Sequence, residues 1–173
     1  MGDPRKPKKT YSRPRRMWTS NQLSAELYLI GTYGLRNKRE LWKAQTEVAR
    51  FRNQARDLLS LSTEARHQKE TQLLSYLNRL GLVNEGATLD DILNLKIEDL
   101  LERRLQNIIM RKTGTKSPYF SRQLVVHKHV SIGNRFVNLP GYLVKKNEEQ
   151  QILVHLDVQK GSSKKPQEQA QPT

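Results

Sequence analysis

The stretch "RRLQNIIMRKTGTKSPYFSRQLVVHKHVSIGNRFVNLPGYLVKK", residues 103–146, decides how this chain is read. Its 44 residues contain ten Lys and Arg and not one Asp or Glu. A solvated globular surface mixes signs, so an acid-free run that also carries structural signals points to a polyanion partner. The signals are a helix, a loop, a second helix and a hairpin. In "LLERRLQNIIMRK", Leu101, Leu105, Ile108 and Ile109 form a buried stripe. Arg104, Asn107 and Arg111 share a neighbouring stripe with Arg103 beside it, and Arg104 is expected to face outward. Lys112 and Lys116 add charge beyond it. "TGTKSP" breaks the helix, and Ser117 stands at an N-cap before Pro118 at the first helical position. The next helix, "PYFSRQLVVHKH", sets Arg122 and His129 seven residues apart on nearly one face. Phe120 is expected in the core, while Tyr119 fits either the core or a stacking surface for an unpaired base. Gly133-Asn134 reads as a hairpin turn, Pro140-Gly141 as another turn, and "QILVHLDV" as a further strand.

His127 and His129 flank Lys128, and His-x-His pairs occur in metal and catalytic sites. If both are helical, their side chains diverge by roughly 200°, which is poor geometry for a shared metal. No third ligand is in sight. The corner is expected to grip RNA, one histidine bonding or stacking and the other packing.

Working outward, the clearest helix is the one before. Leu41, Ala44, Val48, Phe51, Ala55 and Leu58 are spaced alternately three and four apart, a continuous apolar seam. Arg36, Arg39, Lys43 and Arg50 lie opposite, with Lys38, Arg52 and Arg56 along the edge. Glu40 and Glu47 are few against seven basic residues, so this face is expected to contact phosphates. Upstream, Leu23, Leu27 and Ile30 share a helical face before Gly31 and Gly34. Downstream, Leu73, Leu74, Leu77 and Leu80 form a helix that Gly81 ends, with Leu82 folding back on Leu77. Thr88 and Asp91 resemble a capping box for a helix starting at Leu89. Residues 1–16 hold seven basic residues (Arg5, Lys6, Lys8, Lys9, Arg13, Arg15, Arg16), one acid and three prolines. Such a segment cannot fold alone and is expected to be an arm that orders on RNA.

Thirty-one Lys and Arg against 17 Asp and Glu leave a net charge of +14 on 173 residues. A chain this basic repels itself without a polyanion partner. It has no cysteine, which excludes disulfides, thiolate metal knuckles and cysteine nucleophiles. No apolar run approaches the ~20 residues of a membrane span, and the N-terminus does not read as a secretory signal. Asp57, Glu64, Glu70, Asp90, Asp91, Glu98 and Asp99 sit singly or at caps, and the four histidines share no metal spacing with carboxylates. An enzyme, or an accessory subunit of an RNA-modifying enzyme, is the alternative these residues favour less. A polybasic membrane-surface protein would need a lipid-facing amphipathic helix, and the Leu41 to Leu58 seam, with its small alanines, suits a core better.

"LERRLQNI" followed by "SRQLVVHKHVSIGNRFVNLPGYLV" resembles the RNA-binding module named after the fourth protein of the small ribosomal subunit. "KTYSRPRR", "LIGTYGLRNKRELW" and "LNLKIEDLLERRLQ" resemble the archaeal and eukaryotic-type versions of that ribosomal protein itself, so the likeness runs from about Lys9 to Val158. The resemblance implies direct binding to small-subunit ribosomal RNA at a multi-helix junction, early in assembly. It also implies a place near the messenger-RNA entry channel, beside small-subunit proteins three and five, in the cytoplasm. Carried over by position, the RNA-facing residues are Arg103, Arg104, Arg111, Arg122, Gln123, His127, Lys128, His129 and Arg135. Lys128 stands where the family commonly has Gly, and Ile-Gly-Asn replaces the frequent Val-Asn-Gly turn. Bacterial relatives often carry a zinc knuckle that this cysteine-free chain lacks. No cofactor, metal, membrane or homo-oligomer is expected. The expected fold class is α+β, a mainly helical N-terminal domain plus a small helix-loop-helix/β-hairpin RNA-binding module, with basic flexible termini. The expected divisions are an arm at 1–16, the helical domain at 17–98, the module at 99–158 and a tail at 159–173.

Overall fold

The computed structural model describes residues 9–155. Arg5, Lys6 and Lys8, the end of the "QILVHLDV" segment and the tail at 159–173 lie outside the described residues. In chain order the elements are α1 (Ser20–Thr32), α2 (Lys38–Leu59), α3 (Thr63–Leu80), α4 (Leu89–Asn94), α5 (Ile97–Glu102), α6 (Leu105–Thr113), α7 (Pro118–Val126), β1 (Val130–Ile132), β2 (Arg135–Phe136), α8 (Lys146–Glu149) and β3 (Ile152–Val154). The chain is mainly helical with one small antiparallel sheet, as the α+β expectation has it.

The 22-residue α2 is the organising helix. All six seam residues, Leu41, Ala44, Val48, Phe51, Ala55 and Leu58, are buried. They meet Leu77 from α3, Leu89 and Ile92 from α4, and Leu100 and Leu101 from α5 in one apolar cluster. Each large side chain so buried is worth roughly 1.5–3 kcal/mol, so the seam supplies much of this half's stability. The expected caps hold. Gly81 takes a left-handed φ of +71°, with its N–H on the Asn78 carbonyl and the Leu82 N–H on Leu77. The Thr88 N–H donates to the Asp91 carboxylate at 2.8 Å.

A second cluster gathers Leu105, Ile108 and Ile109 of α6, Leu124 and Val125 of α7, Val130 of β1, Val144 from the segment before α8, and Ile152 of β3. The chain thus passes from one cluster to the other between Leu101 and Leu105. The sheet order is β2-β1-β3, with Ile132 opposite Arg135 and Ile152 opposite Ile132. Gly133 and Asn134 are the two-residue hairpin loop. Gly133 has φ +56° and Asn134 does not have positive φ, the pattern of a type II′ turn. The Tyr142 N–H reaches the Leu139 carbonyl at 3.1 Å and closes the Pro140-Gly141 turn.

Four local expectations are corrected. The helix read through "LLERRLQNIIMRK" is two helices. The Arg104 N–H still reaches the Leu101 carbonyl, but Arg104 itself is extended and bridges to Leu143. Helix α7 stops at Val126, so His129 leaves the face of Arg122. In α1 the buried residue is Glu26, while Leu27 and Tyr28 are exposed. Glu26 turns inward because the Trp42 indole N–H donates to it at 3.2 Å, the Gln22 amide at 3.1 Å, and Lys38 pairs with it at 3.2 Å. Burial raises its pKa, but these donors and the Lys38 charge hold it below the ordinary carboxylate value. Phe120, expected in the core, is half exposed, because α7 turns Ser121, Leu124 and Val125 inward instead.

Candidate nucleic-acid interface

The basic residues divide into two sets, and the sequence does not separate them. The first set is used up inside the fold. Arg104 is 8% exposed, and its guanidinium donates to Glu40 at 2.6 Å. Arg122 reaches the same carboxylate at 3.0 and 3.3 Å, and the Gln106 side-chain oxygen at 3.2 Å. Gln106, fully buried, donates onward to the Tyr33 and Gly34 carbonyls. Glu40 of α2 thus holds Arg104 of the α5–α6 junction and Arg122 of α7, and through Arg122 the joint extends to Gln106 of α6 and the turn after α1. Burial pushes the Glu40 carboxyl up, but hydrogen bonds from Arg122 and Arg104 and their charges outweigh it, and its pKa lies below 4.5. Gly34 seals the same joint. It has φ +59°, and a Cβ there would stand 2.9 Å from the Pro118 Cβ.

The outward orientation expected of Arg104 is thus overturned. Asn107 is buried and its amide donates to the Leu101 carbonyl at 2.6 Å, tying the broken helix together. Arg103 pairs with Glu149 at 2.8 Å and donates to the Val144 carbonyl at 3.0 Å. Lys38 pairs with Glu26, and Arg52 donates to the Leu95 carbonyl. Arginine suits such joints because one planar fork can serve several oxygens. Sequence spacing missed Glu40 and Gln106. The one available signal was that Glu40 is an isolated acid at the head of a basic helix.

The second set is exposed. Arg39, Lys43, Arg50 and Arg56 project from α2, Arg36 from the turn before it, and Arg13, Arg15 and Arg16 from the segment before α1. Residues of the expected arm lie against α2. The Ser12 N–H donates to the Thr46 hydroxyl at 2.9 Å, Tyr11 stacks near Trp42 at 6.0 Å, and Lys9 sits 5.5 Å over the Tyr11 ring. Three adjoining grooves follow. One, between α2 and the module, is lined by Lys43, Glu47, Arg104 and Arg122. The next is lined by Lys9, Tyr11, Lys43 and Arg50, and the third by Arg13, Arg50 and Gln54. Lys43 and Arg50 are shared between neighbours, so a track of exposed cations runs along α2, with Glu40, Glu47 and Asp57 the acids that line it.

On the module, Lys116, Gln123, His127, Lys128, His129 and Arg135 are exposed, and Tyr119 is half exposed. Arg111 is exposed but pairs with Glu102 at 2.8 Å, and Lys112 donates to the Glu149 carbonyl. The corner after α7 is built on Lys128, whose φ of +63° is the one positive value on a non-glycine among the described residues. With Lys128 left-handed, its N–H reaches the Val125 carbonyl and the His129 N–H reaches Leu124, both at 3.0 Å. That is the helix-ending geometry in which glycine is usual. The reversal brings the His127 and His129 rings to 6.5 Å rather than apart. Among the described residues no three His, Cys, Asp or Glu side chains group as metal ligands, and no helix is long and apolar enough to cross a membrane.

Residues 103–149 match the S4 domain. The small ribosomal subunit protein uS4 of Ignicoccus hospitalis is 51% identical over 152 residues, covering 88% of this chain and 92% of its own. That of Hyperthermus butylicus is 52% identical over 86% of this chain and 85% of its own. That of Methanothermobacter thermautotrophicus is 42% identical over 88% and 89%. These relatives are named as ribosomal proteins and not as enzymes. With likeness of this extent across both halves, the chain belongs to the uS4 family of small-subunit ribosomal proteins.

Proposed function

We propose that the chain binds small-subunit ribosomal RNA directly at a multi-helix junction, nucleates assembly there, and lines the messenger-RNA entry region beside small-subunit proteins three and five. At the coarser level, family and domain make it a structural, non-enzymatic constituent of the small subunit that binds ribosomal RNA, and hence cytoplasmic. The observation that carries the finer reading is the split between internal and free cations. The Glu40 joint fixes α2 against the module, so the free cations of the two halves stand at set separations. A rigid array of this kind selects a fold of RNA by phosphate geometry rather than base sequence. The proposed contacts are Lys9, Arg13, Arg15, Arg16, Arg36, Arg39, Lys43, Arg50 and Arg56 on one half. On the other they are Arg111, Lys112, Lys116, Tyr119, Gln123, His127, Lys128, His129 and Arg135.

The test is salt dependence on small-subunit ribosomal RNA. Each lost phosphate contact lowers the slope of log affinity against log salt by about 0.7–0.9. Lys43→Ala with Arg50→Ala should therefore lower it by about 1.5. An unchanged slope removes the α2 track from the interface.

A further inference from the structure

The sheet has two faces of opposite character. Val130, Ile152 and their partners turn into the second apolar cluster. The other face is defined by register: Ser131 lies opposite Phe136 on one side and Leu153 on the other. Side chains in register point to the same side of a sheet. The ladder runs one residue further, because the His155 N–H donates to the His129 carbonyl at 2.8 Å. His129 and His155 therefore join that outer face, each two residues from a member of it.

Ser131 is buried on this outer face because two rings roof it. Its hydroxyl is 3.1 Å from His155 Nε2, and the His155 and Phe136 rings stand 5.8 Å apart, tilted by 49°. Phe136 is itself 65% exposed, and Leu153 is exposed beside it. The apolar residues on this face have no protein cover among the described residues. Exposed basic residues adjoin this face: Lys128 immediately precedes His129, while Arg135 precedes Phe136 on the edge strand and is turned by its register with Ile132 to the opposite face. Glu148 and Glu149 of α8, just before β3, are engaged with Tyr142 and Arg103. An apolar protein partner has no use for the adjoining Lys128 ammonium, whereas an unpaired nucleotide uses both parts, ring for base and cation for phosphate.

We propose that Phe136 and His155, over Ser131 and beside His129, form a stacking platform for one unpaired base of the bound RNA. The inference rests on the RNA-binding reading above and adds a contact that phosphate geometry alone does not supply. Bases stack on aromatic side chains with little preference for sequence. The platform thus selects a bulged or looped nucleotide over a paired one.

The experiment uses the full chain and two RNA probes of equal length at low salt: a stem-loop with one 2-aminopurine in its loop, and a blunt duplex. Wild type should bind both, prefer the stem-loop, and quench its 2-aminopurine. Phe136→Ala should weaken stem-loop binding by about tenfold and abolish the quenching, leaving duplex affinity unchanged. Phe136→Tyr should restore both, which a purely structural role of the ring would not require, and circular dichroism reports that each variant is folded. Equal losses on both probes, or less than about a twofold change on the stem-loop, overturn the platform while leaving RNA binding intact. Unchanged RNA binding with loss of a neighbouring ribosomal protein in reconstitution assigns the face to protein and also overturns it. Failure of wild type to bind either probe fails the parent reading instead.

Discussion

Replacing Lys128 by glycine separates two things the corner after α7 does at once. The backbone there has φ +63°, where a Cβ crowds the following carbonyl at a cost of roughly 1–2 kcal/mol. Glycine removes that cost but gives the unfolded chain about 0.4–1 kcal/mol of extra freedom. The difference leaves Lys128→Gly more stable by about 1 kcal/mol, a rise in melting temperature of about 2–4 °C for a chain of this size. The charge acts with the opposite sign on RNA. Loss of one phosphate contact should lower the salt slope by about 0.7–0.9. Lys128→Ala is the control, since it keeps the Cβ and loses the ammonium. It should match wild type in stability and match Lys128→Gly in RNA binding. Urea unfolding, read at constant m-value, and filter binding across a salt series measure the two effects. A glycine variant no more stable than the alanine variant would refute the strained corner. An alanine variant with the wild-type salt slope would refute the phosphate contact.

Three further outcomes follow from the joint at Glu40. Arg104→Glu sets a carboxylate against Glu40 in place of a 2.6 Å ion pair and should cost about 3–5 kcal/mol; wild-type urea stability in that variant would show that the pair holds nothing. Because the folded pKa of Glu40 is depressed below 4.5, its contribution is present above that value and is lost as pH falls through the lower folded value. Glu40→Gln should accordingly flatten stability against pH below about 4.5, and an acid titration as steep as wild type's would contradict this. Gly34→Ala places a Cβ at positive φ and 2.9 Å from Pro118, and should lose about 2 kcal/mol or more in thermal unfolding; an unaffected protein would mean that α7 shifts freely.

Much of the architecture was legible in the chain because it depends on short-range periodicity. The α2 seam reads directly as six buried positions, since a 22-residue helix averages its pattern over many turns. Gly81, the Thr88 cap, Pro118 at a helix start and the Gly133-Asn134 turn are equally local. The failures have causes distant in the sequence. Helix α6 breaks at Arg103-Arg104 although apolar spacing continues through it, because Arg104 pairs in extended form with Leu143, a residue 39 positions away. Helix α1 turns a glutamate inward because Trp42 and Lys38 donate to it from α2.

By itself the sequence determined the helical class, the main core, the turns and the basic character that demands an RNA partner. Only the tertiary structure decided which cations remain free for that partner. An arginine looks the same in sequence whether it meets a phosphate or a carboxylate of its own chain. Arg104 and Arg122 are withdrawn from the surface by Glu40, which lies 64 and 82 residues away, and no spacing rule reaches that far. The outer face of the sheet is likewise a product of register, since Phe136, Ser131 and His155 meet only when three strands align.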